Sequence, residues 1–317
     1  MIATPETQQF PGSLRIVFMG TPEFAVASLD ALVKAGARIV GVVTAPDKPA
    51  GRGMKMNESA VKKYAVEHNL PLLQPEKLRA SSFLEELRAL EADLQVVVAF
   101  RMLPEIVWNM PPMGTINVHG SLLPQYRGAA PINWAIIDGN PSTGVTTFKL
   151  KHEIDTGDLL LQEEILIGEN ETAGELHDRM KEIGAALLVK TVTALASNQL
   201  KETPQRSTEA LKHAPKIFTE TCHIDFTKKA GEVHNLIRGL SPFPGAFTHL
   251  NGKMLKIYRS LKEEVSLPAN TIPGTPVTDG KSFLKFACSN GYVYALELQL
   301  EGKKKMSVED FLRGYRF

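Results

Sequence analysis

An amide and an imidazole stand two residues apart at Asn117 and His119, inside the stretch T-I-N-V-H-G-S-L-L-P-Q-Y-R-G-A-A-P-I-N-W of residues 115–134. Residues 115–118 read as the end of a short buried strand, and in an extended chain side chains two apart leave on one face. Gly120, Pro124 and Gly128 then force an irregular loop, and Pro131 is suited to open a helix. A carboxamide can donate to a developing oxyanion and an imidazole can carry a proton, so the pair suits proton-transfer and oxyanion chemistry. Taken alone, His119 is better explained as a structural histidine satisfied by a backbone carbonyl. Three features favour chemistry: the Gly/Pro loop that follows, the position at a strand end, and a carboxylate at Asp155. Asp155 lies in the turn I-D-T-G-D of residues 154–158 and meets His119 if the strands on either side are neighbours. Metal binding fits poorly, because the chain has no H-x-x-x-H or H-E-x-x-H and no second His or Cys at ligand spacing from His119. Ser121 is outside any G-x-S-x-G elbow, so a serine nucleophile is also a weak reading.

The elements that must position these residues form an α/β pattern. Residues 14–19 (LRIVFM) are an apolar strand ending at Gly20. A helix follows with Thr21 as cap and Pro22 at its first position, carrying Phe24, Leu29 and Leu32 inward. Residues 39–44 (IVGVVT) return as a second strand, which makes a βαβ opening and a parallel, Rossmann-like sheet. The first turn reads G-T-P-E-F, not G-x-G-x-x-G, so no NAD or FAD is expected. Residues 94–100 (LQVVVAF) are a strand buried on both faces, and strands at 145–150 and 159–165 flank the Asp155 turn. Helical spacing marks 58–68, 82–90 and 172–195. Between the second strand and the next helix, residues 45–56 (APDKPAGRGMKM) form a Pro/Gly loop with Lys48, Arg52 and Lys55 against Asp47 alone. At the carboxyl end of a strand, where α/β folds bind ligands, three cations favour an anion.

Beyond residue 198 the pattern changes. Residues 199–215 are polar and contain Pro, and are taken as a linker between a catalytic domain at 14–198 and a second domain at 216–317. After a helix at 229–239 come short strand-like runs at 246–250, 254–258, 283–287 and 292–298. Asn251-Gly252 is a strong hairpin signal and Asn290-Gly291 a second. The expected fold is a small, mostly β, OB-like domain. Residues 201–317 hold 18 Lys+Arg and 12 Asp+Glu, against 18 and 23 in residues 1–200. A basic second half fits a polyanionic partner as well as it fits ordinary surface scatter. The chain of 317 residues has room for two cores, and its 43% hydrophobic content is that of a soluble protein. No apolar run is long enough to span a membrane, and residues 1–13 lack a basic start and an apolar centre. With two distant cysteines, Cys222 and Cys288, the expectation is a cytoplasmic protein with idle thiols.

The motif I-N-V-H-G-S-L-L-P-x-Y-R-G-A-A-P-I, followed by I-D-T-G-D, resembles the folate-dependent formyltransferase family. F-M-G-T-P-E-F-A at 18–25, P-D-K-P-A-G-R-G at 46–53 and the basic, β-rich second half are similar to the members that act on methionyl-tRNA. The resemblance runs from Leu14 to the terminal helix at 307–312. It implies transfer of the formyl group of 10-formyltetrahydrofolate to the α-amino group of methionine on initiator tRNA, by a monomer needing neither metal nor NAD. Matched residue by residue, it implies catalytic roles for Asn117, His119 and Asp155. It implies folate contacts at Ser121, Leu122, Leu123 and Pro124, with Phe100 and Arg101 beside the pterin. The same resemblance implies tRNA contacts at Lys48, Arg52 and Lys55, while Lys303, Lys304 and Lys305 are the candidate patch on the second domain. Arg101 departs from the family, which commonly has glycine there; its side chain could reach the folate, cap the pocket or turn outward. Rival readings are transfer to a small amine, such as a purine precursor or an amino-sugar nucleotide, and an inactive tRNA-binding protein.

Overall fold

The computed structural model describes residues 14–50, 55–206 and 210–316. In chain order the first elements are β1 (Arg15–Gly20), α1 (Glu23–Lys34), β2 (Arg38–Val43), β3 (Lys48–Ala50), β4 (Lys55–Asn57), α2 (Ala60–Glu67) and β5 (Leu72–Leu73). They continue with α3 (Ser81–Ala89), β6 (Leu94–Val98), α4 (Glu105–Trp108), β7 (Thr115–His119), β8 (Arg127–Gly128), α5 (Pro131–Ile137), β9 (Ser142–Lys149), β10 (Leu159–Leu166) and α6 (Ala173–Ala196). The remainder holds β11 (His213–Ala214), α7 (Ala230–Gly239), β12 (Ala246–Leu250), β13 (Lys253–Glu264), β14 (Pro276–Thr278), β15 (Leu284–Cys288), β16 (Gly291–Leu300), β17 (Met306–Ser307) and α8 (Val308–Gly314).

These elements form two compact units. One gathers the described residues of 1–125 with 144–164 and 178–211; the other gathers 126–143, 165–177 and 212 onward. The first unit is built on a seven-stranded sheet of order β10-β9-β7-β6-β1-β2-β5. Its strands β5, β2, β1, β6 and β7 are mutually parallel, as the βαβ opening predicts. The parallel run ends at β7, because β9 pairs with it antiparallel. Every residue of β6 is buried, the mark of a strand covered on both faces. Helix α1 buries Phe24, Leu29 and Leu32, but it starts at Glu23 with Pro22 as its cap residue and makes no side-chain cap bond. The Thr21 cap expected from sequence is therefore one residue too early. Helix α6 backs the site strands: a Cβ on Gly184 would stand 3.4 Å from Val118 and Val145, and the Thr191 and Thr147 hydroxyls meet at 2.9 Å.

Residues 45–56 are less irregular than their composition suggests. Their ends pair as the antiparallel ribbon β3–β4, with Lys48 opposite Asn57 and Ala50 opposite Lys55.

The second unit carries a six-stranded antiparallel sheet of order β12-β13-β16-β15-β14, with β17 on β16. Asn251 and Gly252 both have positive φ, 47° and 77°, between Leu250 and Lys253, which pair. That is the two-residue turn the Asn-Gly signal predicts. Ile237, Leu255, Ile257, Leu284 and Leu298 are fully buried in its core. Cys222 and Cys288 are free and buried there, and burial pushes the Cys288 thiol up to about 12. Helix α5 belongs to this unit: Asn133 donates to Gly239 O at 2.7 Å and the Trp134 indole to Pro215 O at 2.7 Å. Strands β8 and β11 pair so closely that a Cβ on Gly128, at φ 126°, would lie 2.4 Å from Ala214 O. Only glycine fits. No helix among the described residues is long and apolar enough to cross a membrane.

Candidate active site

Strand β7 delivers the amide and the imidazole to one face. Its neighbours fix the register: Asn117 lies between Val97 and Phe148, and His119 opposite Thr146. Because alternate residues point oppositely, Val118 turns to α6 while Asn117 and His119 share the other face. His119 is buried, 7% exposed, with its ring edge-on to Phe148 at 6.4 Å between centroids. Oδ1 of Asn117 is buried and accepts no hydrogen bond among the described residues. An unmet buried acceptor costs about 1–3 kcal/mol, so a group that stays unpaired beside an imidazole points to a ligand. Half a turn about χ2 presents the Asn117 amide N–H at the same place, since the two ends of a carboxamide have one shape.

Asp155 arrives from the turn between β9 and β10, with Oδ2 4.0 Å from His119 Nδ1. That separation is ion-pair range but too long for a hydrogen bond, which leaves room to tighten around a reactant. Asp155 holds φ +55°, a left-handed conformation that Asp tolerates better than most residues. The turn folds tightly against β9. A Cβ on Gly157 would stand 1.5 Å from Lys149 O, so this position admits glycine alone. Thr156 Oγ1 donates to Glu153 O at 3.0 Å, and Lys149 N to Asp158 O at 3.0 Å.

The loop after β7 holds Ser121 to Pro124 in place through one hydroxyl. Thr146 Oγ1 donates to Ser121 O at 2.6 Å and accepts Leu123 N at 3.1 Å and Gln162 Nε2 at 2.9 Å. Gln162 Nε2 also donates to Leu123 O at 2.9 Å, and Ser121 Oγ to Gln125 O at 2.6 Å. Ser121, Leu123 and Thr146 are buried, while Leu122 and Pro124 are half-buried. Thr146 and Gln162 carry no motif that marks them in the sequence. Both stand among other polar residues of their strands, STGVTTFK and LLLQEEIL, so nothing in the local pattern singles them out.

Phe100 follows the neighbouring strand β6 and so emerges at the same sheet edge as the loop after β7. Arg101 is exposed and spent locally: its guanidinium lies 5.6 Å from the Phe100 ring centroid and donates to the carbonyls of Glu76, at 2.9 Å, and Pro75. Of the three courses open to Arg101, the structure shows it turned to the segment after β5.

The basic residues divide. Lys48 is exposed on the ribbon, Lys55 enters the ribbon through its backbone, and Arg52 lies outside the described residues. Asp47, the single anion of this loop, pairs with Lys62 and accepts Gln74 Nε2 at 2.9 Å, leaving the loop cations uncompensated by it. Lys303, Lys304 and Lys305 are all exposed on the other unit. Lys305 pairs with Glu297 at 2.7 Å over the Tyr258 ring. Among the described residues no group of three or more His, Cys, Asp or Glu is arranged to hold a metal ion.

An amide, an imidazole and a carboxylate without a nucleophilic side chain suit an enzyme that moves a carbonyl group between two bound molecules. The chain belongs to the formyl transferase family: the family pattern "Formyl transferase" matches residues 14–192, and "Formyl transferase, C-terminal domain" matches 216–316. A methionyl-tRNA formyltransferase of Bacteroides fragilis is 51% identical over 310 residues, covering 95% of each chain. One from Flavobacterium johnsoniae is 50% identical over 309 residues, covering 96% of this chain and 97% of the other. The fold is also that of the N-formyltransferase from Helicobacter canadensis, solved with folinic acid and dTDP-3-aminofucose. Its TM-score is 0.66 at 18% identity, over 92% of this chain and 100% of that one.

Proposed function

We propose that this enzyme transfers the formyl group of 10-formyltetrahydrofolate to the α-amino group of methionine carried by initiator tRNA, for the start of protein synthesis in the cytoplasm. The observation that carries this reading is end-to-end identity of 51% with a methionyl-tRNA formyltransferase, over both matched family regions. Asn117, His119 and Asp155 are the catalytic residues. The amine attacks the formyl carbon, negative charge grows on the formyl oxygen, and the bond from carbon to the folate nitrogen breaks. One proton leaves the amine and one reaches the folate nitrogen, so the sum is neutral. The Asn117 amide N–H stabilises the growing oxyanion, a contribution of about 10²–10³ in rate for one such donor. His119 stabilises the same charge and passes the proton to the leaving nitrogen. Asp155, at 4.0 Å, holds the imidazole and helps remove the amine proton.

Ser121, Leu122, Leu123 and Pro124 bind the folate with Phe100, and the unmet polar atom of Asn117 supports a ligand on that face. Lys48, Arg52 and Lys55 meet the acceptor end of the tRNA, with Lys303, Lys304 and Lys305 on its body. The enzyme works as a monomer without metal. The test is formylation by purified protein of charged initiator tRNA against small amines of the purine-precursor and amino-sugar kind. Preferential use of the tRNA supports the reading, and preference for a small amine overturns it.

A further inference from the structure

We propose that Gln205 is a positioning residue for formyl transfer, holding the Asp155 turn in the bend that aims its carboxylate at His119. The proposal rests on the catalytic reading of Asp155. Gln205 lies in 193–215, which neither family pattern covers. Its side-chain amide spends both hydrogens on one turn, donating from Nε2 to Asp155 O at 2.9 Å and to Gly157 O at 2.7 Å. The first carbonyl is that of Asp155 itself, which holds φ +55°, a conformation disfavoured for a residue with a Cβ, and the second lies two residues on at Gly157. A two-pronged donor across residues i and i+2 fixes the orientation of both peptide planes, and with them the direction of the Asp155 side chain.

The segment that presents Gln205 is itself anchored. Thr203 and Leu159 exchange backbone hydrogen bonds at 2.8 and 3.0 Å, and Glu202 pairs with Lys149. Pro204, between the bridge and Gln205, removes a backbone freedom. So residues 202–205 form a short edge against β9 and β10, and Gln205 reaches from it under the Asp155 turn. Asp155 Oδ2 already stands 4.0 Å from His119 Nδ1, and a displacement near 1 Å at such a contact can cost about 10² in rate.

The test is a double-substitution cycle in single-turnover formyl transfer. Gln205→Met keeps side-chain length and removes the donors; Gln205→Ala is the second variant. Each is expected to lower the transfer rate tenfold or more, on the order given for misplaced groups, with substrate KM values unchanged and thermal unfolding near that of the parent. In an Asp155→Asn background the same change is expected to do nothing further, because the residue it positions no longer acts. Full activity of Gln205→Met, or a loss of the same size in the Asp155→Asn background, overturns the proposal. Full activity of Asp155→Asn alone overturns the underlying catalytic reading instead.

Discussion

Thr146→Val removes one hydroxyl and keeps the side-chain shape, so it isolates what holds the loop from Ser121 to Pro124. The hydroxyl is fully buried and takes part in three hydrogen bonds, to Ser121 O, Leu123 N and Gln162 Nε2. Gln162 keeps its bond to Leu123 O, which leaves two backbone groups orphaned, the Ser121 carbonyl and the Leu123 N–H. Each costs about 1–3 kcal/mol when buried without a partner. Burying a methyl in place of the hydroxyl returns about 0.8 kcal/mol. The net cost is about 1–5 kcal/mol, a factor of about 5 to 4,000 in the local opening equilibrium at about 1.4 kcal/mol per tenfold. Hydrogen exchange at the Leu123 amide reads that opening directly, and steady-state kinetics reads its consequence. The expected outcome is faster exchange at Leu123 by a factor in that range, a raised KM for 10-formyltetrahydrofolate and little change in KM for tRNA. Unchanged Leu123 protection, or an unchanged folate KM with the amide exposed, refutes the reasoning.

Glu175 supplies a pH prediction. The carboxylate is held down at about 2, mainly by the backbone N–H of Thr172 and then by Arg259. A depressed value stabilises the fold above the ordinary carboxylate range and loses that stabilisation as pH falls from about 4.5 towards 2. With the Glu175 side chain 47% exposed, screening reduces the effect to about 1 kcal/mol, and Glu175→Gln should flatten that part of the urea-stability profile. A profile as steep as the parent's removes the pairing from the account. Arg52→Ala is expected to weaken tRNA use and lower the slope of log affinity against log salt by about one, which tRNA-binding measurements across a salt series would detect; an unchanged slope removes the loop from the tRNA interface.

The pairing of Asn117 with His119 was legible because strand alternation is a two-residue rule, and β7 obeys it. Asp155 was legible because two strands joined by a short acidic turn tend to be neighbours, and β9 pairs with β7. The antiparallel sense of that pair was not, since an apolar strand carries no sign of its direction. Thr146, Gln162 and Gln205 escaped for a common reason: each is bonded to backbone carbonyls or amides, which every residue has. Their partners lie up to 50 residues away, and only the folded register brings them together. Nor did composition reveal that residues 126–143 cluster with the second unit. Helix α5 shows an apolar face, but its contact with α7 crosses 106 residues, from Asn133 to Gly239. The run Lys303 to Lys305 is uniform in sequence and exposed throughout, yet Lys305 is paired to Glu297 at 2.7 Å.

The most direct test is the single-turnover rate of formyl transfer to bound methionyl-tRNA in Asn117→Ala. The substitution removes the amide whose buried oxygen has no partner among the described residues and leaves β7 otherwise intact. Loss of an oxyanion donor predicts a rate lower by about 10²–10³, with tRNA affinity unchanged. Transfer at the parent rate contradicts the assignment of Asn117 to the formyl oxygen.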